Sequence, residues 1–189
     1  SLFVFNTSLL GILLIKNSLH FVDGIFLIAL SSLLIGIMGT VPGHELVHRK
    51  KNKLDMQMGN WLLALSWDCA FAVEHVYGHH KNVGLDKDPA TAKRGENIYM
   101  FIIRAIVNEQ KDAWKIFLSQ NKKSKGPFLS LKNKMITGYL RSLFITLFAY
   151  IIGGAEGMII FLLCAFIAKS LLEVINYTEH YGLSLIHIS

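Results

Sequence analysis

Six of the eight histidines in this 189-residue chain fall into three short boxes, each beside a long apolar stretch. The first box, residues 44–48, reads His-Glu-Leu-Val-His, and the second, residues 74–80, reads Glu-His-Val-Tyr-Gly-His-His. The third, residues 176–182, reads Asn-Tyr-Thr-Glu-His-Tyr-Gly. Imidazole is a good ligand for iron, copper, zinc or nickel, and six imidazoles exceed the needs of one tetrahedral zinc. The boxes predict a metal centre that holds more than one ion, with these ligands: His44, His48, His75, His79, His80 and His180.

The spacing within the boxes fits metal binding by helices. His44 and His48 are four residues apart, which on a helix stacks both rings on one face with Cβ atoms about 5–6 Å apart. His75 and His79 repeat this spacing. His80 is turned about 100° further around the helix, so it could reach a neighbouring ion. The third-box histidine would close the site from another side.

Each box also carries a glutamate next to a histidine, namely Glu45, Glu74 and Glu179. Carboxylates commonly accept the free N–H of a ligating histidine and fix its tautomer, so these residues are candidates for orienting the ligands. Asn176 is a further candidate, and no catalytic side chain beyond the metal ligands is expected. Solvated charges near a membrane surface are an equally open interpretation of the glutamates.

The composition favours an integral membrane protein of one domain. Hydrophobic residues make up 52% and charged residues 17% of the chain, and the mean hydropathy is +0.43. The net charge of +6 could suggest a nucleic-acid partner, but the basic residues adjoin apolar spans, so we expect a lipid bilayer and no nucleic acid. Cys69 and Cys164 lie in apolar stretches and are interpreted as buried thiols.

The expected fold is an all-α membrane bundle with a histidine-rich metal site at its cytoplasmic face. Four membrane-embedded helices are predicted, at residues 1–15, 24–43, 139–152 and 158–175. Pro42 and Gly43 interrupt the second run, and residues 153–157 predict a tight turn between the last two. Residues 60–73 predict one short re-entrant helix, and residues 96–117 an amphipathic helix.

The basic residues predict the orientation. Sixteen of the nineteen lysines and arginines lie between Arg49 and Lys134, and positive residues near membrane helices favour the cytoplasm. All three boxes are therefore expected on the cytoplasmic side.

Two other function classes fit part of the pattern. The first box satisfies H-E-x-x-H, the zinc metalloprotease motif in which Glu45 would be the general base. The further histidines of the second and third boxes argue against it, because a one-zinc site would not need them. A non-catalytic membrane metal-binding protein or assembly subunit is the other alternative.

The boxes resemble those of the integral-membrane alkane monooxygenases and their xylene monooxygenase relatives, within the membrane fatty acid desaturase superfamily. Residues 74–80 are similar to that family's E-H-x-x-G-H-H, and residues 176–183 to its N-Y-x-E-H-Y-G-L. Asp88-Pro89-Ala90, followed by Gly95-Glu96 and Tyr99, resembles the stretch after the second box. Acyl-lipid desaturases usually show H-x-x-H-H in the second box and lack the Tyr-Gly signature, so they fit less well.

The resemblance implies a non-haem di-iron centre in which the six box histidines hold two iron ions. It implies hydroxylation of a terminal or benzylic methyl C–H of a hydrophobic substrate, an n-alkane first, with O2. Electrons would come from a rubredoxin or ferredoxin and its NAD(P)H-dependent reductase. The location would be the inner membrane of a bacterium. A fatty acyl desaturase or hydroxylase of the same superfamily is the alternative.

The chain departs from the family pattern in three places. Val47 and Arg49 stand where the family commonly has Gly and Lys, and residues 84–87 differ too, so n-alkane, alkyl-arene and acyl substrates stay open. Residues 1–183 are expected to form one domain, incomplete at both ends, and residues 184–189 to be an adapter-derived tail. The family has a further H-x-x-H-H box that this chain does not reach, so the chain alone is expected to be inactive.

Overall fold

The computed structural model describes residues 12, 16, 20–49, 51–124 and 133–183. Every regular element in these ranges is helical, which agrees with the all-α prediction. Residues 20–49, 51–124 and 133–183 contain five helices: α1 (Phe21–His48), α2 (Lys53–Ala64), α3 (residues 71–82), α4 (Ile98–Ser124) and α5 (Lys134–His180). The predicted helix at residues 1–15 lies outside the described residues apart from residue 12, and so does the predicted tail.

Two of the described helices, α1 and α5, are long and apolar enough to cross a membrane. The interruption predicted at Pro42 and Gly43 is wrong, because both residues lie inside the helical segment Val41–His48. A π-helical turn, Gly36–Thr40, instead joins this segment to the preceding one, Phe21–Ile35. Pro42 lies in the first turn of the last segment, and the wider π turn accommodates its missing N–H without ending the helix. The first box therefore forms the end of α1.

Contacts divide the chain into two compact units. The first comprises residues 1–68 and 139–169, and the second comprises residues 69–138 and 170–189. The core of the first unit is apolar and includes residues from α1, α2 and both halves of α5. These are Ile35, Ala64, Leu65, Ile145, Ala149, Phe161, Cys164, Ala165 and Ala168.

Helix α5 reverses direction at Gly154, whose φ of 62° and ψ of −157° are not helical. Trp67 Nε1 donates a hydrogen bond to Thr146 Oγ1 at 3.0 Å, and the next residue, Asp68, pairs with Lys169 Nζ at 2.9 Å. On an unbroken helix, residues 146 and 169 would be about 34 Å apart, too far for both contacts. The predicted turn at residues 153–157 is therefore present, and its two arms, residues 134–153 and 155–180, form a hairpin.

The end of α1 packs closely on α2 through two glycines. A Cβ built on Gly59 would lie 2.9 Å from the carbonyl oxygen of Gly43, and one on Gly43 would lie 3.1 Å from Leu62 and from Leu63. Only residues without side chains allow this approach of the two backbones. The crossing fixes the part of α1 that carries the first box.

The prediction of one re-entrant helix over residues 60–73 is wrong. Helix α2 ends at Ala64, α3 begins at Phe71, and Trp67 between them has a φ of +56°. Polar side chains explain the break, because Ser66 Oγ donates to the Leu63 carbonyl and the Asp68 carboxylate binds Lys169. Such side-chain bonds compete with a continuous helix.

In the second unit, α4 packs against α3, and the amphipathic helix predicted at residues 96–117 is present but extends to Ser124. Its buried face repeats every four residues, with Phe101, Ala105, Glu109 and Ala113. Ile103 and Val107 are exposed on the other side. The predicted helix is therefore confirmed, but Ile103 and Val107, two of the apolar residues whose spacing predicted it, lie away from its buried face.

Candidate metal centre

The first box places two imidazoles side by side in the first unit. The ring centroids of His44 and His48 are 4.8 Å apart, as expected for residues one helical turn apart. Both are partly buried, whereas Glu45 between them is exposed and its Oε1 lies 3.8 Å from an Arg49 nitrogen. The role predicted for Glu45 in orienting a histidine stays a prediction.

The other four histidines come together in the second unit. Ring centroids are 5.0 Å apart for His75 and His79, 4.7 Å for His75 and His80, and 5.9 Å for His79 and His80. His180, at the end of α5, lies 4.8 Å from His79. We call these four residues the histidine cluster. Two helices that are distant in sequence therefore supply imidazoles to one place.

A π-helical turn, His75–His79, shapes the cluster. In a regular α-helix, His80 would point about 100° away from His79. The π turn has i→i+5 periodicity, which draws His75 and His80 together on one side. No local sequence pattern predicts this turn, and because of it His80 lies closer to the other second-box histidines than their spacing predicted.

A buried carboxylate fixes the orientation of His79. Asp88 Oδ2 lies 2.9 Å from His79 Nδ1, and the Asp88 side chain is fully buried. Thr91 Oγ1 donates to Oδ2 and the Ala90 N–H to Oδ1, so both carboxylate oxygens are held. Because Nδ1 is used by Asp88, Nε2 of His79 is the nitrogen left to bind a metal.

The electrostatics of this pair favour the ionised carboxylate. Burial lowers the pKa of His79, but the hydrogen bond and charge of Asp88 outweigh it, so the pKa lies above its ordinary value. Burial raises the pKa of Asp88, but the hydrogen bond from His79 and its charge outweigh that effect, leaving this pKa below its ordinary value. Asp88 belongs to the Asp-Pro-Ala segment that carries the family resemblance, but it was not among the predicted site residues.

Two more carboxylates lie beside the cluster. Glu74 and Glu173 are buried, and the negative charge of each raises the pKa of His79. Asn176 Nδ2 donates to Glu173 Oε2 at 3.0 Å. Glu173 was not among the predicted site residues, although its position seven residues before His180 puts it two turns away on the same helical face.

The four residues predicted to orient the ligands therefore differ in how deeply they are buried. Glu74 and Asn176 are buried in the unit that contains the histidine cluster, whereas Glu45 and Glu179 are exposed.

Steric crowding explains why the second box has a glycine at position 78. A Cβ built on Gly78 would lie 2.5 Å from Glu74 Oε1 and 3.2 Å from Ile116 Cδ1. Glu74 is buried, so its carboxylate has little room to retreat. The glycine keeps the space that this carboxylate occupies.

The donor set fits a divalent transition metal. Neutral imidazoles suit iron, copper, zinc and nickel, and the neighbouring carboxylates supply negative charge and hold the rings in place. The cluster in the second unit therefore brings together the residue types that such metals prefer as ligands.

Comparison with known proteins defines the class. The family model described as "Fatty acid desaturase" matches residues 19–187, and the chain belongs to this family. The resemblance expected from the boxes is therefore confirmed.

The similar relatives include monooxygenases of two named kinds. Alkane 1-monooxygenase 1 of Pseudomonas aeruginosa is 38% identical over 154 residues, 79% of this chain and 39% of the relative. The alkane 1-monooxygenase of Acinetobacter baylyi is 35% identical over 163 residues, 82% of this chain and 39% of the relative. The hydroxylase component of the xylene/toluene monooxygenase of Pseudomonas putida is 35% identical over 147 residues, 76% of this chain and 39% of the relative. The chain thus spans about two-fifths of the length of these relatives.

Proposed function

We propose that the protein containing this chain is a non-haem di-iron monooxygenase of the membrane. It hydroxylates a terminal or benzylic methyl C–H of a hydrophobic substrate, with an n-alkane as the first candidate. The observation that carries the proposal is the histidine cluster with His79 anchored on Asp88, in a chain similar to alkane and xylene monooxygenases. The six box histidines are the proposed iron ligands, with His44 and His48 completing the set.

The proposed hydroxylation determines which electrons, protons and cofactors the protein needs. Insertion of one atom of O2 into a C–H bond requires two electrons and two protons to reduce the other atom to water. Two bound iron ions would supply the O2 activation. The electrons would come from a rubredoxin or ferredoxin and its NAD(P)H-dependent reductase, and the basic residues between Arg49 and Lys134 suit an acidic carrier.

The chain's own residues hold and orient the ligands. Asp88 keeps the His79 proton on Nδ1, and Gly78 leaves room for the Glu74 carboxylate. Glu74 and Glu173 bring negative charge toward the cationic centre. This buried, charged surround keeps the ligand geometry fixed before substrate arrives.

The membrane is part of the proposal. Helix α1 and both arms of α5 would cross the inner membrane, with the boxes on the cytoplasmic side. A hydrocarbon substrate dissolves in the bilayer, so it would reach the site from lipid while electrons arrive from water.

The test uses the full-length protein in lipid nanodiscs, loaded with ferrous iron and given a chemical reductant. We expect two irons per chain, O2 consumption that depends on octane, and 1-octanol as the product by mass spectrometry. The variant His79→Asn should lose iron and turnover. The matched control His20→Asn, at an exposed histidine outside the boxes, should keep both.

Three other outcomes of this experiment would each favour one of the alternative functions. One zinc and no iron per chain would favour the protease. Loss of hydrogen from an acyl chain, without alcohol, would favour the desaturase. Iron binding without O2 consumption on octane, xylene or acyl chains would identify a non-catalytic metal-binding protein.

A further inference from the structure

One arginine of α4, Arg104, binds the loop segment at residues 88–97, which lies between the second box and α4. Arg104 Nε and Nη2 donate to the two carboxylate oxygens of Glu96, at 2.6 and 2.9 Å. Its Nη1 donates to the Pro89 carbonyl at 3.2 Å and its Nη2 to the Thr91 carbonyl at 3.1 Å. The planar guanidinium thus binds both ends of the loop, which the single ammonium of lysine could not do.

The third box grips the same loop from the other side. Tyr177 Oη donates to the Glu96 carbonyl at 2.7 Å, and Tyr181 Oη accepts from the Gly95 N–H at 2.9 Å. The Gly182 N–H donates to the Ala92 carbonyl at 3.1 Å, and Gly182 reaches this position with a φ of +65°. The tyrosines and glycine that flank His180 are thus occupied by the loop backbone.

The loop also carries Asp88, which holds His79. One short segment is therefore bonded both to the partner of His79 and to the residues around His180. The two imidazoles it links lie 4.8 Å apart. The hydrogen bond from Arg104 lowers the pKa of Glu96 below its ordinary value, so this carboxylate stays ionised at neutral pH.

We propose that Arg104, Tyr177 and Tyr181 are positioning residues for the metal site. They clamp the 88–97 loop between α4 and the end of α5, and the clamp sets the separation of His79 and His180. This inference rests on the proposed metal-binding function, and it gives Tyr181 and Gly182 of the third box a structural role.

The first experiment measures how firmly the 88–97 loop is held when no metal is bound. Hydrogen exchange is followed in the metal-free, full-length protein for the wild type, Arg104→Gln and Tyr181→Phe. Both variants should speed exchange at the Gly95 and Gly182 amides. The matched control Arg94→Gln, at an exposed arginine of the same loop, should leave exchange unchanged.

The second experiment titrates the same proteins with Co²⁺ and records the visible d–d absorption. Arg104→Gln should weaken binding about tenfold or more, and change the band shape, as loss of an orienting partner does in metal sites. Tyr181→Phe removes one hydroxyl, and the loss of a single hydrogen bond should weaken Co²⁺ binding about threefold. This milder variant keeps the test valid if Arg104→Gln folds poorly. A merely structural role would shift the unfolding temperature and leave the band shape alone.

Several results would overturn the inference. They are unchanged exchange in both variants, Co²⁺ binding equal to the wild type, or equal losses in Arg94→Gln. Failure of the proposed function is a separate outcome. If Co²⁺ binding depends on the clamp residues but the wild type oxidises no hydrocarbon, the monooxygenase proposal would be refuted and the clamp proposal would stand.

Discussion

At the level of single residues, the ligand candidates could be predicted and most of their partners could not. His75 and His79 could be predicted because they repeat the four-residue spacing of the first box and follow a glutamate. Asp88 does not, because its distance from His79 in sequence reflects a loop path that no local period encodes. Glu173 shares a helical face with His180, so counting two turns back along α5 could have found it.

The first prediction concerns Asp88, which accepts bonds from His79, Thr91 and Ala90. In Asp88→Asn only one oxygen remains, so at least one of these donors would face an NH2 group. If that donor is His79, its proton must move to Nε2, which removes this nitrogen as a ligand. Metal affinity measured by titration should fall about 10- to 100-fold.

The control for this change is Asp86→Asn, at an exposed carboxylate two residues earlier in the chain. It should bind metal as the wild type does. Equal affinity in both variants would show that Asp88 does not orient His79.

At the level of elements, periodicity predicted the helices and missed how they bend. The hairpin at Gly154 and the amphipathic α4 follow from apolar runs, a glycine-rich divider and a 3.6-residue period. The π turns and the break at Trp67 do not, because they depend on packing and on bonds such as Asp68 to Lys169. These long-range contacts lie outside any sequence window.

The second prediction concerns the α1–α2 crossing. In Gly59→Ala the new Cβ would lie 2.9 Å from both the Gly43 carbonyl oxygen and Val47 Cγ1. Backbone cannot move aside as a flexible side chain can, so the helices must separate. The free energy of unfolding should fall by about 1–3 kcal/mol, as in overpacked cores.

Thermal unfolding in detergent would measure this loss, and Gly24→Ala is the matched control. Nothing lies within 4 Å of a Cβ at Gly24, which is helical, so alanine should be neutral or stabilise by up to about 1 kcal/mol. Equal behaviour of the two variants would refute the close crossing.

The third prediction concerns the buried ion pair of the first unit. Lys169→Met would leave the Asp68 carboxylate, almost fully buried, without its cation. Removing one partner of a buried pair costs about 3–5 kcal/mol. The double variant Asp68→Asn/Lys169→Met should recover most of this loss, because neither position then carries a charge. Equal stability of the single and double variants, by thermal unfolding, would argue against the pair.

At the level of the whole molecule, the distribution of charge and of apolar segments along the chain predicts how the protein is oriented in the membrane. Basic residues concentrate between Arg49 and Lys134, and the hairpin turn near Gly154 is separated from them by an apolar arm on either side. Each arm has at least twenty residues, about 30 Å of helix, close to the thickness of the hydrocarbon layer. The sequence could predict this pattern because it depends on composition alone.

The fourth prediction tests that orientation in intact cells. A membrane-impermeant maleimide should label Glu156→Cys, at the hairpin turn, from outside the inner membrane. It should label Lys51→Cys, at the exposed turn after the first box, only once that membrane is opened. The native Cys69 and Cys164 are buried, so the wild type provides a low background.

Labelling of both positions from one side would show that the arm of α5 before Gly154 does not cross the bilayer. Labelling of Lys51→Cys alone from outside would reverse the orientation and place the first box away from the cytoplasm. A soluble electron carrier in the cytoplasm could not then reach it. The orientation therefore decides whether the electron supply proposed for this protein is physically possible.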